Sequence, residues 1–209
     1  MNPVYCLMNY LAHLYLSFGD PKIMVGNFIA DSVKGRQMLT FPPEILQGII
    51  LHRHIDTYTD QHPLTAQSRE RIRHRYRKYS GVVVDIYYDH FLAANWKDYS
   101  DQSLQLFTKN AYRVLFSHYL LMPARMKRFL PAMAMGNWLA SYASISNVGM
   151  ALSGMAQRTR FDSQMQHATE ELVMYYEDLK NDFVQFFPDL TAYVRQQIPE
   201  IKKELLIET

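Results

Sequence analysis

The sequence predicts an all-α protein: a single helical domain of about seven to nine helices over residues 1–209. Three observations predict it. Glycine and proline together number 17 residues, about 8% against the ~12% usual in proteins, so turn formers are scarce. Apolar side chains recur at three- and four-residue spacing along most of the chain, the period of helices with one buried face. Hydrophobic residues are 48% and aromatics 13%, which excludes a disordered chain and supplies a core that needs no staples at this length. Cys6 is the only cysteine, which also excludes a disulfide framework and a cysteine zinc site.

The elements follow in order. Helices are expected over Asn9–Phe18 and Ile23–Gly35. The next opens at Pro42-Pro43, where proline suits a first helical turn, and stops before Pro63. Helical spacing continues over Ala66–Tyr79, Val82–Trp96 and Gln102–Tyr119, although the Val82–Val84 run also fits a short strand. Phe129–Gln157 carries no charge, and its length alone fits a membrane span. Pro131, Asn137, Ser141, Ser144, Ser146, Asn147 and Ser153 interrupt it, so two packed core helices are expected instead. Over Asp162–Phe187, the residues Met165, Ala168, Leu172, Tyr175, Leu179, Phe183 and Phe186 mark a long helix that Pro188 is expected to end. A last helix follows Asp189. The start Met1-Asn-Pro-Val-Tyr5 lacks the pattern of a secretory signal, and the net charge is only +2. A soluble cytoplasmic protein with no membrane partner is expected.

Polar groups on apolar stripes are the chemical signal. At about 100° per residue, Ile45, Ile49, His52 and Asp56 fall within about 60° of one another, with Asp60 at the edge. Ionised carboxylates on such a stripe cost several kcal/mol unless something positive compensates. A metal ion is one such partner, since imidazole and carboxylate suit Mn, Fe, Zn or Mg. Arg53 or another arginine is the alternative. Asp85, Asp89, Leu92 and Trp96 repeat the pattern, with His90 about 100° round from Asp89. Asp31 and His13 also lie among apolar neighbours, although a lone inward His is more often a hydrogen-bonded core residue. Four segments presenting His or Asp inward favour a metal site between helices. His54, two residues past His52, faces the opposite side.

A second signal is charge. Arg69, Arg71, Arg73, Arg75, Arg77 and Lys78 stand against Glu70 alone within Arg69–Lys78. Such a run fits a solvated helix face, a dock for an acidic protein, or a nucleic-acid contact. The locally acidic Glu170–Asp189 stretch is expected to face elsewhere.

The ordered strings MNYLAHLYLS from Met8, GNFIADSVKG from Gly26 and FPPEILQGIILHRHIDTYTD from Phe41 resemble the acyl carrier protein phosphodiesterase family. So do DIYYDHFLAANW from Asp85, NWLASY from Asn137 and LSGMAQR from Leu152. The resemblance runs from Met8 to Tyr175–Pro188, so Met1–Leu7 is expected to be an N-terminal extension or an upstream start choice. It implies an all-helical fold related to HD-domain metal-dependent phosphohydrolases, although no adjacent His-Asp pair occurs here and His54 replaces an expected arginine. It implies hydrolysis of holo acyl carrier protein to apo protein and 4′-phosphopantetheine, with Mn²⁺ as the metal and Mg²⁺ or Fe²⁺ as substitutes. On that reading Asp31, His52, Asp56 and Asp89 are the expected ligands. Lys34, Arg36 and Arg53 meet the phosphate. His13, Asp60 or His90 protonates the leaving serine oxygen. The Arg69–Lys78 run docks the acidic carrier. The rival readings are a phosphohydrolase of a nucleotide or other small phosphoester, and a non-catalytic nucleic-acid binder.

Overall fold

The computed structural model describes residues 10–207, so the expected extension Met1–Leu7 and the start of the first helix lie outside the described residues. Among these there are eleven α-helices and no strand. They are α1 (Tyr10–Tyr15), α2 (Pro21–Ile29), α3 (Pro43–Gln61), α4 (Pro63–Tyr76), α5 (Ser80–Ala94), α6 (Leu104–Ser117), α7 (Ala124–Met135), α8 (Trp138–Ser141), α9 (Ile145–Ala156), α10 (Ala168–Met174) and α11 (Tyr176–Ile207). Short 3-10 turns fill several of the connections. No helix among the described residues is long and apolar enough to cross a membrane.

Local chemistry explains the starts. Asp20 caps α2 by accepting from the backbone N–H groups of Lys22 and Ile23 at 2.9 and 3.0 Å. Prolines open α2, α3 and α4, where a missing N–H costs nothing. The valine run lies inside α5, with Val83 and Val84 fully buried. Packing of that face overrides their strand preference.

Two expectations about helix ends are corrected. The helix expected over Asp162–Phe187 is split at Tyr175, and α11 runs on through Pro188 and Pro199. Proline within a helix costs about 3 kcal/mol. Burying Phe183, Phe186, Phe187, Leu190, Val194 and Ile201 on one continuous stripe offsets that cost. The uncharged Phe129–Gln157 stretch forms the end of α7, then α8 and α9, rather than two helices. Asn137 breaks it with φ of 44°, a left-handed conformation that asparagine tolerates. These breaks account for a helix count above seven to nine.

The contact that places the site is between α2 and α3, the most extensive helix–helix contact in the fold. Gly26 and Gly48 face each other across it. A Cβ on Gly26 would lie 2.2 Å from the Ile45 carbonyl oxygen, and one on Gly48 2.3 Å from that of Ile23. Two bare backbones therefore touch, as only glycine permits. The crossing brings the C-terminal end of α2 against the middle of α3.

Candidate metal centre

α1 is a helix of six residues, too short to stand alone, and it is held from both ends. At its front, the Asp89 carboxylate of α5 accepts from the N–H groups of Leu11 and Ala12 at 3.0 and 2.9 Å. At its back, Asn27 of α2 donates to the His13 carbonyl and to Ser17 Oγ, at 3.1 and 2.9 Å. His13 is thus fixed inside the core with no solvent exposure.

His13 meets the stripe of α3 there. Its Nε2 lies 3.2 Å from Asp56 Oδ1, while His52 Nε2 lies 3.3 Å from Asp56 Oδ2. The two imidazoles stack with centroids 4.0 Å apart. Asp31, in the single 3-10 turn that follows α2, brings Oδ1 to 3.2 Å from His52 Nε2. The imidazoles of His13 and His52 therefore converge on Asp56, and Asp31 touches the cluster through His52. Ligands bound at about 2.1 Å to one octahedral ion sit about 3 Å from one another, so these spacings suit a shared cation. The nitrogen and oxygen ligand atoms of His13, His52 and Asp56 all lie within 4.8 Å of one another, a grouping that can hold a metal ion.

The protein alone leaves part of this chemistry unmet. Both ring nitrogens of His13 are buried with no hydrogen-bond partner among the described residues, and the 3.2 Å approach to Asp56 lacks hydrogen-bond geometry. Burial, then the neighbouring His52, hold the His13 pKa below its ordinary value despite Asp56. A neutral imidazole is the form that ligates metal. For Asp56, burial opposes ionisation, but His52 and His13 beside it outweigh that and hold the carboxyl well below the usual carboxylate range. Its side chain is 35% exposed, against 11% for Asp31, so Asp56 forms the open side. The residues present fit a divalent cation of the nitrogen- and oxygen-loving class.

Several expected site residues fall elsewhere. Asp89 is not brought into the cluster, because both its oxygens are occupied by α1. Burial lifts its pKa to about 7 against the pull of those two N–H groups. His90 also stands apart: Nδ1–H donates to the Tyr142 carbonyl at 2.7 Å and Nε2 accepts from the Tyr176 hydroxyl at 3.2 Å. Asp60 is largely exposed and pairs with Arg69 at 2.6 Å. Arg53 is exposed and directed at Met38 Sδ, so imidazoles rather than an arginine compensate the carboxylates. Lys34 and Arg36 are exposed on the turns after Asp31. His54 packs away from the cluster, 3.2 Å from the Tyr193 hydroxyl of α11.

The basic run divides into two faces. Arg71 reaches the buried Asp182 at 3.3 Å, and Arg75 reaches Glu170 and Glu171 at 2.6 and 2.7 Å. The acidic stretch thus faces α4, contrary to the expectation that it faces elsewhere. Arg69, Arg73, Arg77 and Lys78 instead line a groove of about 890 Å³ with Asp60 and Asp85. Burial, then the charges of Asp56 and Asp60, push the Asp85 carboxyl up to about 8, with Arg69 opposing. Sequence reasoning placed Asp85 on its stripe but gave it no role. It read His13 as a proton donor rather than a partner of His52, and passed over Gly26 and Gly48. Isolated glycines inside helical patterns were the available signal for that crossing.

Against known proteins, residues 8–190 match the family described as acyl carrier protein phosphodiesterase. The acyl carrier protein phosphodiesterase of Yersinia enterocolitica is 31% identical over 191 residues, 91% of this chain and 99% of the relative. That of Photorhabdus laumondii is 32% identical over 182 residues, 87% of this chain and 92% of the relative. No solved structure matches the chain, so the relation to HD-domain enzymes rests on sequence resemblance alone.

Proposed function

The chain belongs to the acyl carrier protein phosphodiesterase family, and from that premise we propose that it is a cytoplasmic, Mn²⁺-dependent hydrolase of holo acyl carrier protein. The observation that carries the metal part is the grouping of His13, His52 and Asp56, with Asp31 against His52. We assign these four as ligands, with Mg²⁺ or Fe²⁺ as substitutes for Mn²⁺. When bound, such an ion supplies Lewis acidity and lowers the pKa of a coordinated water toward neutrality.

The protein's own groups do the rest. Arg53, Lys34 and Arg36, exposed residues close in the chain to His52 and Asp31, are assigned to offset the growing charge on the phosphoryl oxygens. Water attacks phosphorus, the bond from phosphorus to the serine oxygen breaks, and that oxygen takes a proton. With His13 in the cluster and His90 tied into the core, the proton comes from the groove side, where Asp85 and Asp60 stand. Its pKa of about 8 keeps Asp85 protonated at neutral pH. The products are apo carrier protein and 4′-phosphopantetheine. Arg73, Arg77 and Lys78 steer the acidic carrier into the groove.

The test is incubation of holo acyl carrier protein with the protein and Mn²⁺, followed by intact-mass spectrometry. Loss of the phosphopantetheine arm, and its absence when Mn²⁺ is chelated, supports the reading. An intact arm in the presence of Mn²⁺ overturns it.

A further inference from the structure

Between Gln102 and Phe161 the chain has seven basic residues and no acidic one. The whole protein carries +2, so this segment is the cationic part of a chain that is otherwise net negative. Its cations differ from those of α4. Lys109, Arg113, Lys127 and Arg128 form no ion pair among the described residues, whereas Arg69, Arg71, Arg73 and Arg75 are each paired.

The geometry of α6 gathers them with apolar side chains. Leu104, Phe107, Ala111 and Leu115 turn into the core. Leu106, Lys109, Arg113 and Phe116 then share the outward face, within about 80° of one another. This ridge runs into the 3-10 turn Tyr119–Leu121 that joins α6 to α7. Leu120 projects from the turn at 86% exposure, with Leu121 and Phe116 exposed beside it. On α7, Met126, Leu130 and Met133 face inward, leaving Arg128 exposed and Lys127 half-buried near the same turn.

The corner thus combines exposed leucines and phenylalanine with cations that form no ion pair among the described residues. It matches an anionic lipid surface, where apolar residues enter the headgroup–acyl boundary and cations meet the headgroups. We propose that the α6–α7 corner is a peripheral docking face for anionic phospholipid. With no spanning helix among the described residues, the contact is reversible and salt-sensitive. None of the residues lining the groove assigned to the carrier lies on α6, α7 or the turn between them, so the lipid face is distinct from it. The inference therefore does not depend on the catalytic reading.

The test is sedimentation of the full chain with vesicles of equal parts phosphatidylglycerol and phosphatidylcholine, against phosphatidylcholine alone, at low salt. Binding to the anionic vesicles only is expected. Each cation near the surface contributes about fivefold to partitioning, so Lys109→Glu with Arg113→Glu is expected to weaken it more than tenfold. Leu120→Ser with Leu121→Ser is expected to weaken it at unchanged charge. Circular dichroism and catalytic turnover are expected to match the parent protein in both variants. Absence of binding to anionic vesicles overturns the proposal. So does vesicle binding that these variants spare and Arg73→Glu with Arg77→Glu abolishes. A rise in KM for carrier protein in the Lys109→Glu/Arg113→Glu variant, with vesicle binding unchanged, makes the corner a protein dock and overturns it equally.

Discussion

The inner stripes of α3 and α5 each set a carboxylate among apolar side chains, yet the two serve opposite ends. On α3, Asp56 meets two imidazoles, which hold its carboxyl ionised, and its open edge reaches solvent. On α5, Asp89 accepts from the backbone N–H groups of Leu11 and Ala12 and is fully buried. Its pKa rises to about 7 instead. An inward carboxylate is thus not by itself a ligand. What it faces across the helix interface decides whether it is held ionised or holds a helix, and Asp89 holds the helix that delivers His13.

The contrast breaks most sharply by substitution. Asp56→Ala and His52→Ala are expected to reduce turnover of carrier protein by more than the ~100-fold that loss of a supporting outer-shell partner costs. Thermal unfolding by circular dichroism is expected to stay cooperative in both. His54→Ala, on the opposite face, should keep most of the activity. Asp89→Ala should act the other way round. It leaves two buried N–H groups without an acceptor, so a loss of roughly 2–5 kcal/mol of stability is expected, read by urea denaturation. Stability losses of equal size for Asp56→Ala and Asp89→Ala would erase the distinction.

Proton linkage sharpens it further. Asp85 and Asp89 have folded pKa values of about 8 and about 7, above the ~3.9 of an unfolded aspartate. The contribution of a raised group is complete below its unfolded pKa and is lost as pH rises through the folded one. Stability is therefore expected to decline between about pH 4 and pH 8. Asp85→Asn should flatten that decline in denaturant titrations across this range. Asp56 has the opposite sign, since its depressed carboxyl stabilises the fold above pH ~4 and that contribution fades as the solution is acidified. An unchanged pH slope in Asp85→Asn would show that Asp85 is ionised as in water.

The smallest effect separates the two faces of α4. Arg73→Glu with Arg77→Glu, on the groove, should raise KM for carrier protein several-fold at low salt with little change in kcat. Arg71→Glu should mainly destabilise, because it faces the buried Asp182. Equal KM changes from both faces would return the run to a single docking stripe.

The helical class was legible because periodicity and scarce turn formers survive in composition. The stripe of His52 and Asp56 was legible because one helix fixes the phase of its own residues. Partners across helices were not. Nothing in the order of residues says that Asp89 reaches α1, or that His13 rather than His90 stacks on His52. Those contacts follow from the Gly26–Gly48 crossing and the Asp89 clamp, which are tertiary. The same holds for α11, where Pro188 reads as a stop until the stripe buried beyond it is known, and for Arg71 and Arg75, whose acidic partners lie about a hundred residues away in the chain.

The central claim is that His13, His52, Asp31 and Asp56 form one cation site. The direct measurement is a Mn²⁺ titration of the metal-free protein, following free ion by electron paramagnetic resonance. Tight binding is expected in the parent protein and in His54→Ala, and its loss in His13→Ala, His52→Ala and Asp56→Ala, each checked for fold by circular dichroism. Undiminished Mn²⁺ binding in folded His13→Ala and Asp56→Ala would contradict the account.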